Sequence, residues 1–176
     1  MKGDFHVRFR ENAMVKFPCV TRLGVILKNA TMTKVNPYLT FNGNCEEAFR
    51  LYKSAFGREF LYIGRYKDVP PADRQTFQIE NDDKIMHVTL PISNETILMG
   101  CDSPEASGQG IILGNNISLS ISTDSKEEAD RLFNKLSIGG QIKMSMNQTF
   151  WGAYFGVFTD RFGINWTISF DSTDSK

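Results

Sequence analysis

The sequence has few of the residues that form disulfides or bind metals. Its 176 residues include three cysteines and two histidines. Cys19, Cys45 and Cys101 are far apart, odd in number and form no CxxC pair, so neither a disulfide framework nor a zinc site is indicated. Isolated thiols are typical of a reducing compartment. We therefore expect a cytoplasmic protein with reduced cysteines.

An excess of charge of one sign and long apolar runs are also missing. Twenty basic and twenty acidic residues give a formal net charge of zero, so nothing overall favours nucleic acid or anionic lipid. No stretch approaches the roughly 18 apolar residues of a membrane helix. The glycine pattern GQGIILG, at 108–114, does not connect a strand to a helix as a nucleotide-binding turn does. We expect no nucleic-acid partner and no membrane association.

Residues 1–31 form a basic segment, with six lysines and arginines against Asp4 and Glu11. The segment lacks the apolar run followed by small residues that defines a secretory signal. It can be interpreted as a basic targeting or binding arm, or as an extension upstream of a fold that begins at Met32. We expect the second, an N-terminal extension that is not part of the fold.

The rest of the chain contains one structural unit twice. LTFNGNCEEAFRLYKSAF, at 39–56, and LSISTDSKEEADRLFNKL, at 119–136, each read as a strand, a polar turn and an amphipathic helix. Asn44 is the predicted N-cap of the first helix, and Ser125 with Glu128 forms a capping box at the second. Three strand-like segments follow each helix.

These segments predict an α+β fold of two βαβββ modules, with helices outside a system of mixed sheets. The predicted boundaries place the first module at 32–104, a linker at 105–113 and the second module at 114–176; the linker lies within a stretch rich in Gly, Ser and Asn, at 102–116.

Alternation along the strands places His87 on the face turned away from the helices. In 85–92, Met86, Val88 and Leu90 share an apolar face, and His87 and Thr89 point the opposite way. An imidazole, with an ordinary pKa of about 6.5, can act as a general base or bind a substrate oxygen near neutral pH. The alternative is a histidine whose hydrogen bonds are satisfied by neighbouring strands.

The aromatic string near the C-terminus supplies further candidates. Trp151 and Tyr154 can stack on a flat ligand, or they can belong to the core. Gln148 and Thr149 are polar groups beside them. Asp160, in the sequence DRFG, is interpreted only as part of the turn before the last strand.

These motifs, in this order, resemble the PhnB-like branch of the glyoxalase/bleomycin-resistance (vicinal oxygen chelate) superfamily. The resemblance covers residues 35–171 and rests on the duplicated unit and on the stretches YLTFNGNCEEAFRLYKSAFG, IMHVTL, LMGCD and TFWGAYFGVFTDRFGINWTI. It implies paired βαβββ modules around a U-shaped cavity, commonly in a homodimer that contributes to each site. Members of this branch are often described as demethylubiquinone methyltransferases, and the missing nucleotide-binding turn argues against that activity here.

The resemblance also implies a divalent metal, held by a His near the start of each module and a Glu on each last strand. The corresponding positions fall near Asn36 and Asn116, near Leu98 or Met99, and near Thr167. None is a histidine or a carboxylate, and a metal needs several donors converging at about 2.0–2.6 Å. We therefore expect neither a metal nor another cofactor.

Three functions remain open. The first is a metal-independent homodimer that binds a small apolar or aromatic molecule in the sheet cavity. The second is a glyoxalase-like isomerase or lyase in which His87 is the acid or base, and the third is a dimeric module whose cavity is vestigial. We favour the first, with a ligand site formed by His87, Trp151, Tyr154, Gln148, Thr149 and Thr167.

Overall fold

The computed structural model describes residues 34–71, 73, 82–103 and 111–171. The predicted extension at 1–31 and most of the predicted linker at 105–113 lie outside these residues. Val35–Lys176 forms a compact unit of its own. Within the described ranges, no helix has the length and apolar character needed to span a membrane.

The first half of the fold is a four-stranded mixed sheet with one α-helix. The strand order is β1-β4-β3-β2, in which β1 runs parallel to β4 and the other pairs are antiparallel. The elements are β1 (Tyr38–Phe41), α1 (Cys45–Phe56), β2 (Tyr62–Arg65), a 3₁₀ turn (Tyr66–Asp68), β3 (Ile85–Pro91) and β4 (Ile97–Asp102).

The second half repeats this topology. Its strand order is β5-β8-β7-β6, again with one parallel pair, β5 and β8. The elements are β5 (Leu119–Ser122), α2 (Lys126–Leu136), β6 (Gln141–Gln148), β7 (Ala153–Thr159) and β8 (Asn165–Asp171). The predicted α+β fold with two βαβββ repeats is confirmed.

The helix ends agree with the sequence patterns except at the start of α1. Ser125 Oγ accepts a hydrogen bond from the Glu128 N–H at 3.2 Å, as predicted for the N-cap of α2. Asn44 makes no side-chain capping bond. Instead the Asp102 carboxylate, at the end of β4, accepts from the Cys45 N–H at 2.9 Å. The cap of α1 therefore comes from a strand 57 residues away, a partner that a local pattern does not reveal.

One apolar core joins the two repeats. Tyr52 of α1 packs edge-on against Trp166 of β8 with ring centroids 5.5 Å apart, and Phe41 packs against Phe162 at 6.5 Å. Both Tyr52 and Trp166 are almost fully buried. The helix of the first repeat is therefore held against a strand of the second.

A buried carboxylate reinforces this junction. Asp160 is 3% exposed, and its Oδ2 accepts hydrogen bonds from the Tyr52 hydroxyl at 2.7 Å and the Trp166 indole at 2.9 Å. Its Oδ1 accepts from the N–H groups of Phe162 and Ile164. Burial, and then the carboxylate itself, raises the pKa of Tyr52, so that this phenol stays protonated and donates. The interpretation of Asp160 as a turn residue is correct but incomplete, because it also links the repeats.

Candidate functional site

The face of the first sheet that turns away from α1 carries uncharged polar and aromatic side chains. The cross-strand register aligns Tyr38 with Met99, Met99 with Thr89, and Thr89 with Tyr62. Side chains directly opposite each other share a face. We call this surface the open face of the first sheet; its residues are Tyr38, Thr40, Tyr62, His87, Thr89, Met99 and Cys101.

An irregular register beside β3 explains one departure from the predicted alternation. The pairing of β2 with β3 shifts between Gly64 and Arg65. Ile85 is consequently buried together with Val88 and Leu90, although simple alternation places it on the opposite side. Alternation holds beyond the shift.

His87 lies at the centre of the open face, between two tyrosine rings. Its Nδ1 is 3.1 Å from the Tyr38 hydroxyl, and its Nε2 is 2.9 Å from the Thr89 hydroxyl. The imidazole centroid is 5.6 Å from the ring of Tyr38 and 5.9 Å from that of Tyr62. Three strands therefore place rings and hydroxyls around one imidazole.

Burial favours the neutral forms of three ionisable groups on the open face, His87, Tyr38 and Cys101. Burial lowers the pKa of His87, so the imidazole is uncharged at neutral pH. Burial, and then the nearby Cys101 thiol, raises the pKa of Tyr38. Burial likewise raises the pKa of Cys101, which keeps its sulfur a thiol rather than a nucleophilic thiolate. The site therefore suits uncharged groups.

The lowered pKa of His87 predicts that the protein loses stability in mild acid. The unfolded chain binds a proton on this imidazole below pH 6.5, the ordinary pKa of histidine. The folded chain binds that proton only at a lower pH. Unfolding free energy should therefore fall as the pH drops below 6.5 and level off below the folded pKa. Urea unfolding of wild type and His87→Gln from neutral pH into mild acid measures this contribution. A difference between the two proteins that stays constant with pH contradicts it.

Five of the six predicted site residues lie in the second repeat. Thr167 on β8 pairs with Ser120 and Val157, on the face of the second sheet that turns away from α2. Trp151 lies beyond β6, which ends at Gln148. It lies in the following turn, is 56% exposed, and packs against Phe155 with ring centroids 6.1 Å apart.

The predicted position of Tyr154 in the cavity is wrong. Its hydroxyl donates to Asp130 of α2 at 2.8 Å, and the Lys126 ammonium lies 5.2 Å from its ring. Tyr154 also packs against the apolar core. It therefore occupies the helix-covered side of the sheet, and the next residue, Phe155, alternates to the other side.

Gln148 and Thr149 contribute to the turn between β6 and β7. The Gln148 amide donates to the Gly152 carbonyl at 2.8 Å, and the Thr149 hydroxyl donates to the Ala153 carbonyl at 2.7 Å. Within the chain, the predicted ligand residues are thus divided between two sheets, with only His87 in the first.

Sequence reasoning missed Tyr38 and Tyr62 as neighbours of His87. Each stands at the start of a short strand, in YLTF and YIGR, where alternation alone gives two possible faces. The register that aligns both tyrosines with Thr89 comes from pairing across the sheet. The sequence signal for these tyrosines is an aromatic residue at the start of a strand. That signal does not distinguish a residue of the ligand site from a residue of the core.

The residues at the metal positions that the resemblance implies do not fit a divalent cation. The Asn36 side-chain oxygen accepts from the Ile97 N–H at 3.4 Å, Leu98 is fully buried in the core, and Thr167 offers a hydroxyl. Across the ranges that the structure describes, no group of three or more His, Cys, Asp or Glu side chains could hold a metal ion. The donor set, two amides, a hydroxyl and an apolar side chain, is too weak.

Comparison with solved structures places the protein in a fold class. The glyoxalase/bleomycin-resistance/dioxygenase domain of Frankia sp. EAN1pec superposes with a TM-score of 0.55 at 14% identity, covering 82% of this chain and 96% of that one. At this identity the likeness concerns the fold alone. The protein thus has the fold of the glyoxalase/bleomycin-resistance superfamily.

The chain belongs to the PhnB-like family described as 3-demethylubiquinone-9 3-methyltransferase, whose pattern it matches over residues 33–169. It is 32% identical over 143 residues to protein YjdN of Escherichia coli K12, covering 77% of this chain and 93% of that protein. The crystal structure of PA1353 from Pseudomonas aeruginosa is 40% identical with a TM-score of 0.68, covering 80% of this chain and 98% of that one. A putative 3-demethylubiquinone-9 3-methyltransferase, the PhnB protein of Bacillus cereus, is 27% identical with a TM-score of 0.64, covering 78% and 99%.

Proposed function

We propose that this protein is a metal-free binder of a small apolar or aromatic molecule, and that the ligand contacts His87 on the open face of the first sheet. The observation that carries the proposal is the neutral imidazole flanked by two tyrosine rings at 5.6 and 5.9 Å. Aromatic side chains with a few hydrogen-bonding groups are typical of small-molecule sites. Thr167 on the second sheet and Trp151 in the turn between β6 and β7 would border the ligand.

Methyl transfer is not part of this proposal. That reaction needs a nucleotide-like cofactor, and such cofactors commonly bind at a glycine-rich turn between a strand and a helix. The turns at these places are NGN, at 42–44, and TDS, at 123–125. The turn before α1 has one glycine and the turn before α2 has none.

We further propose that the working form is a homodimer. Several large apolar side chains of β6 and the turns beside it are exposed, and exposed apolar side chains of this size are often found at interfaces between protein chains. A second copy of the chain would cover them and bring another sheet toward the open face. These side chains are Ile138, Ile142, Met144, Phe150 and Trp151.

Native mass spectrometry of the full chain, purified without chelator or added metal, tests all parts of the proposal. We expect a dimer that retains a small organic molecule and no divalent ion. In His87→Ala the retained molecule should be lost or greatly reduced, because the variant removes the imidazole and its hydrogen bonds. Thr96→Ala, at an exposed position in the turn between β3 and β4, is the matched control and should retain it.

Other outcomes overturn the proposal in different ways. A stoichiometric metal that a chelator removes contradicts the metal-free reading. An empty dimer that binds none of a panel of aromatic compounds supports the vestigial cavity instead. If wild type and His87→Ala retain the molecule equally, the ligand does not bind on the open face.

A second candidate function is an isomerase or lyase in which His87 transfers a proton. One observation favours it: the imidazole has a hydroxyl at each ring nitrogen, which fixes its orientation, and its neutral form can accept a proton. Turnover of the retained molecule by wild type and its loss in His87→Gln, with binding preserved, would identify an enzyme.

A further inference from the structure

We propose that Tyr38 and Tyr62 form the floor of the ligand site, and that Gly64 makes this floor selective for flat, uncharged molecules that carry a hydroxyl. This inference rests on the proposed binding function and specifies its ligand class.

The rings of Tyr38 and Tyr62 are each moderately inclined to the imidazole of His87. The plane of Tyr38 is inclined to the His87 imidazole by 28°, and that of Tyr62 by 36°. Both tyrosines are 48% exposed, so the rings are accessible from outside the sheet. A planar molecule laid on this surface contacts more than one ring, whereas a puckered molecule of the same size cannot do so closely.

Gly64 permits this arrangement. It pairs with His87 across the sheet and is two residues from Tyr62 on the same strand, so all three share a face. A Cβ at position 64 would lie 2.8 Å from Cζ and 2.9 Å from Cε1 of Tyr62, and closer still to its hydroxyl oxygen. The Tyr62 ring therefore covers the space that any other side chain at position 64 would fill.

The polar groups of the surface determine the charge and the hydrogen bonding of the ligand. The open-face side chains of β1–β4 include no Lys, Arg, Asp or Glu, so a charged ligand would lose its hydration without an ion-pair partner. The Tyr38 and Thr89 hydroxyls each lie against one imidazole nitrogen. Each hydroxyl can both donate and accept, and a ligand hydroxyl complements them.

Three matched compounds test the selectivity. 2-Naphthol is flat and neutral, 2-naphthoate is flat and anionic, and decahydro-2-naphthol is neutral and puckered. In titrations of the full-length protein followed by calorimetry, we expect 2-naphthol to bind about tenfold more tightly than either of the others. Equal affinities for the three compounds would overturn the selectivity.

Three variants test the floor. Tyr62→Leu removes the ring, and Gly64→Ala displaces it; each should weaken 2-naphthol binding about tenfold. Leu61→Ala, at a neighbouring exposed position, is the control and should bind as wild type does. Because Tyr62 is half-exposed, Tyr62→Leu should fold even if Gly64→Ala does not, and far-ultraviolet circular dichroism checks both.

A comparison of His87→Ala with Tyr62→Leu tests the binding function and the aromatic floor separately. If His87→Ala loses 2-naphthol while Tyr62→Leu retains wild-type affinity, the binding function stands and the aromatic floor is wrong. If 2-naphthol binds equally to wild type and to His87→Ala, both are wrong.

Discussion

Replacing Asp160 by alanine should lower the free energy of unfolding by at least about 3 kcal/mol, since each buried donor left without a partner costs about 1–3 kcal/mol. The variant leaves four donors without their acceptor, two of them the side chains of Tyr52 and Trp166. These two belong to different repeats, so the variant also weakens the junction between them. Urea unfolding followed by tryptophan fluorescence measures the loss.

Asp124→Ala is the matched control for this variant. Asp124 is exposed in the turn before α2, and surface substitutions of this kind usually change stability by less than about 0.5 kcal/mol. Asp160→Asn should fall between the two, because the amide keeps one acceptor and places an NH₂ group against a donor. A loss below about 1 kcal/mol in Asp160→Ala would show that the four donors find other partners.

Replacing Asp102 by alanine should cost about 2–6 kcal/mol, from two buried backbone donors that lose their acceptor. Asp102 is 1% exposed; its Oδ1 accepts from the Cys45 N–H and its Oδ2 from the Ile85 N–H, both at 2.9 Å. The side chain therefore caps α1 and fixes the start of β3. Chemical unfolding gives the total, and amide hydrogen exchange should show faster exchange in the first turn of α1.

Asp171→Ala controls for removing an acidic residue from a strand end, because Asp171 ends β8 and is exposed. Asn44→Ala provides a second comparison. Asn44 is the predicted cap but makes no side-chain capping bond, so its removal should cost far less than that of Asp102. A larger effect at Asn44 than at Asp102 would mean that the local cap holds the helix after all.

The sequence was sufficient for the fold because the repeat pattern is local. The strand, turn and amphipathic helix at 39–56 and 119–136 each report their own secondary structure through side-chain periodicity, and their duplication identifies the two βαβββ repeats. Ser125 was predicted correctly for the same reason, since the donor of its capping bond is three residues away. Both kinds of signal act within about one turn of helix or one strand.

The candidate site could be predicted only in part, because it depends on register between strands. Alternation placed His87 on the open face, but it could not show that Tyr38 and Tyr62 lie beside it from strands at opposite edges of the sheet. The sequence pattern also left the face of Tyr154 open, because the phase of β7 against α2 decides which face each side chain takes. A one-residue error in phase reverses every side chain of a strand.

By itself the sequence determined the fold, the family and the weak donor set at the metal positions, since each of these follows from which residues are present and how they repeat. Only the tertiary structure decided that Asp102 caps α1, that Asp160 joins the repeats, and that two tyrosines flank His87. The physical reason is common to all three. A buried acceptor or a ring takes whatever partner the folded chain brings within about 3–6 Å, and those partners lie tens of residues away along the sequence.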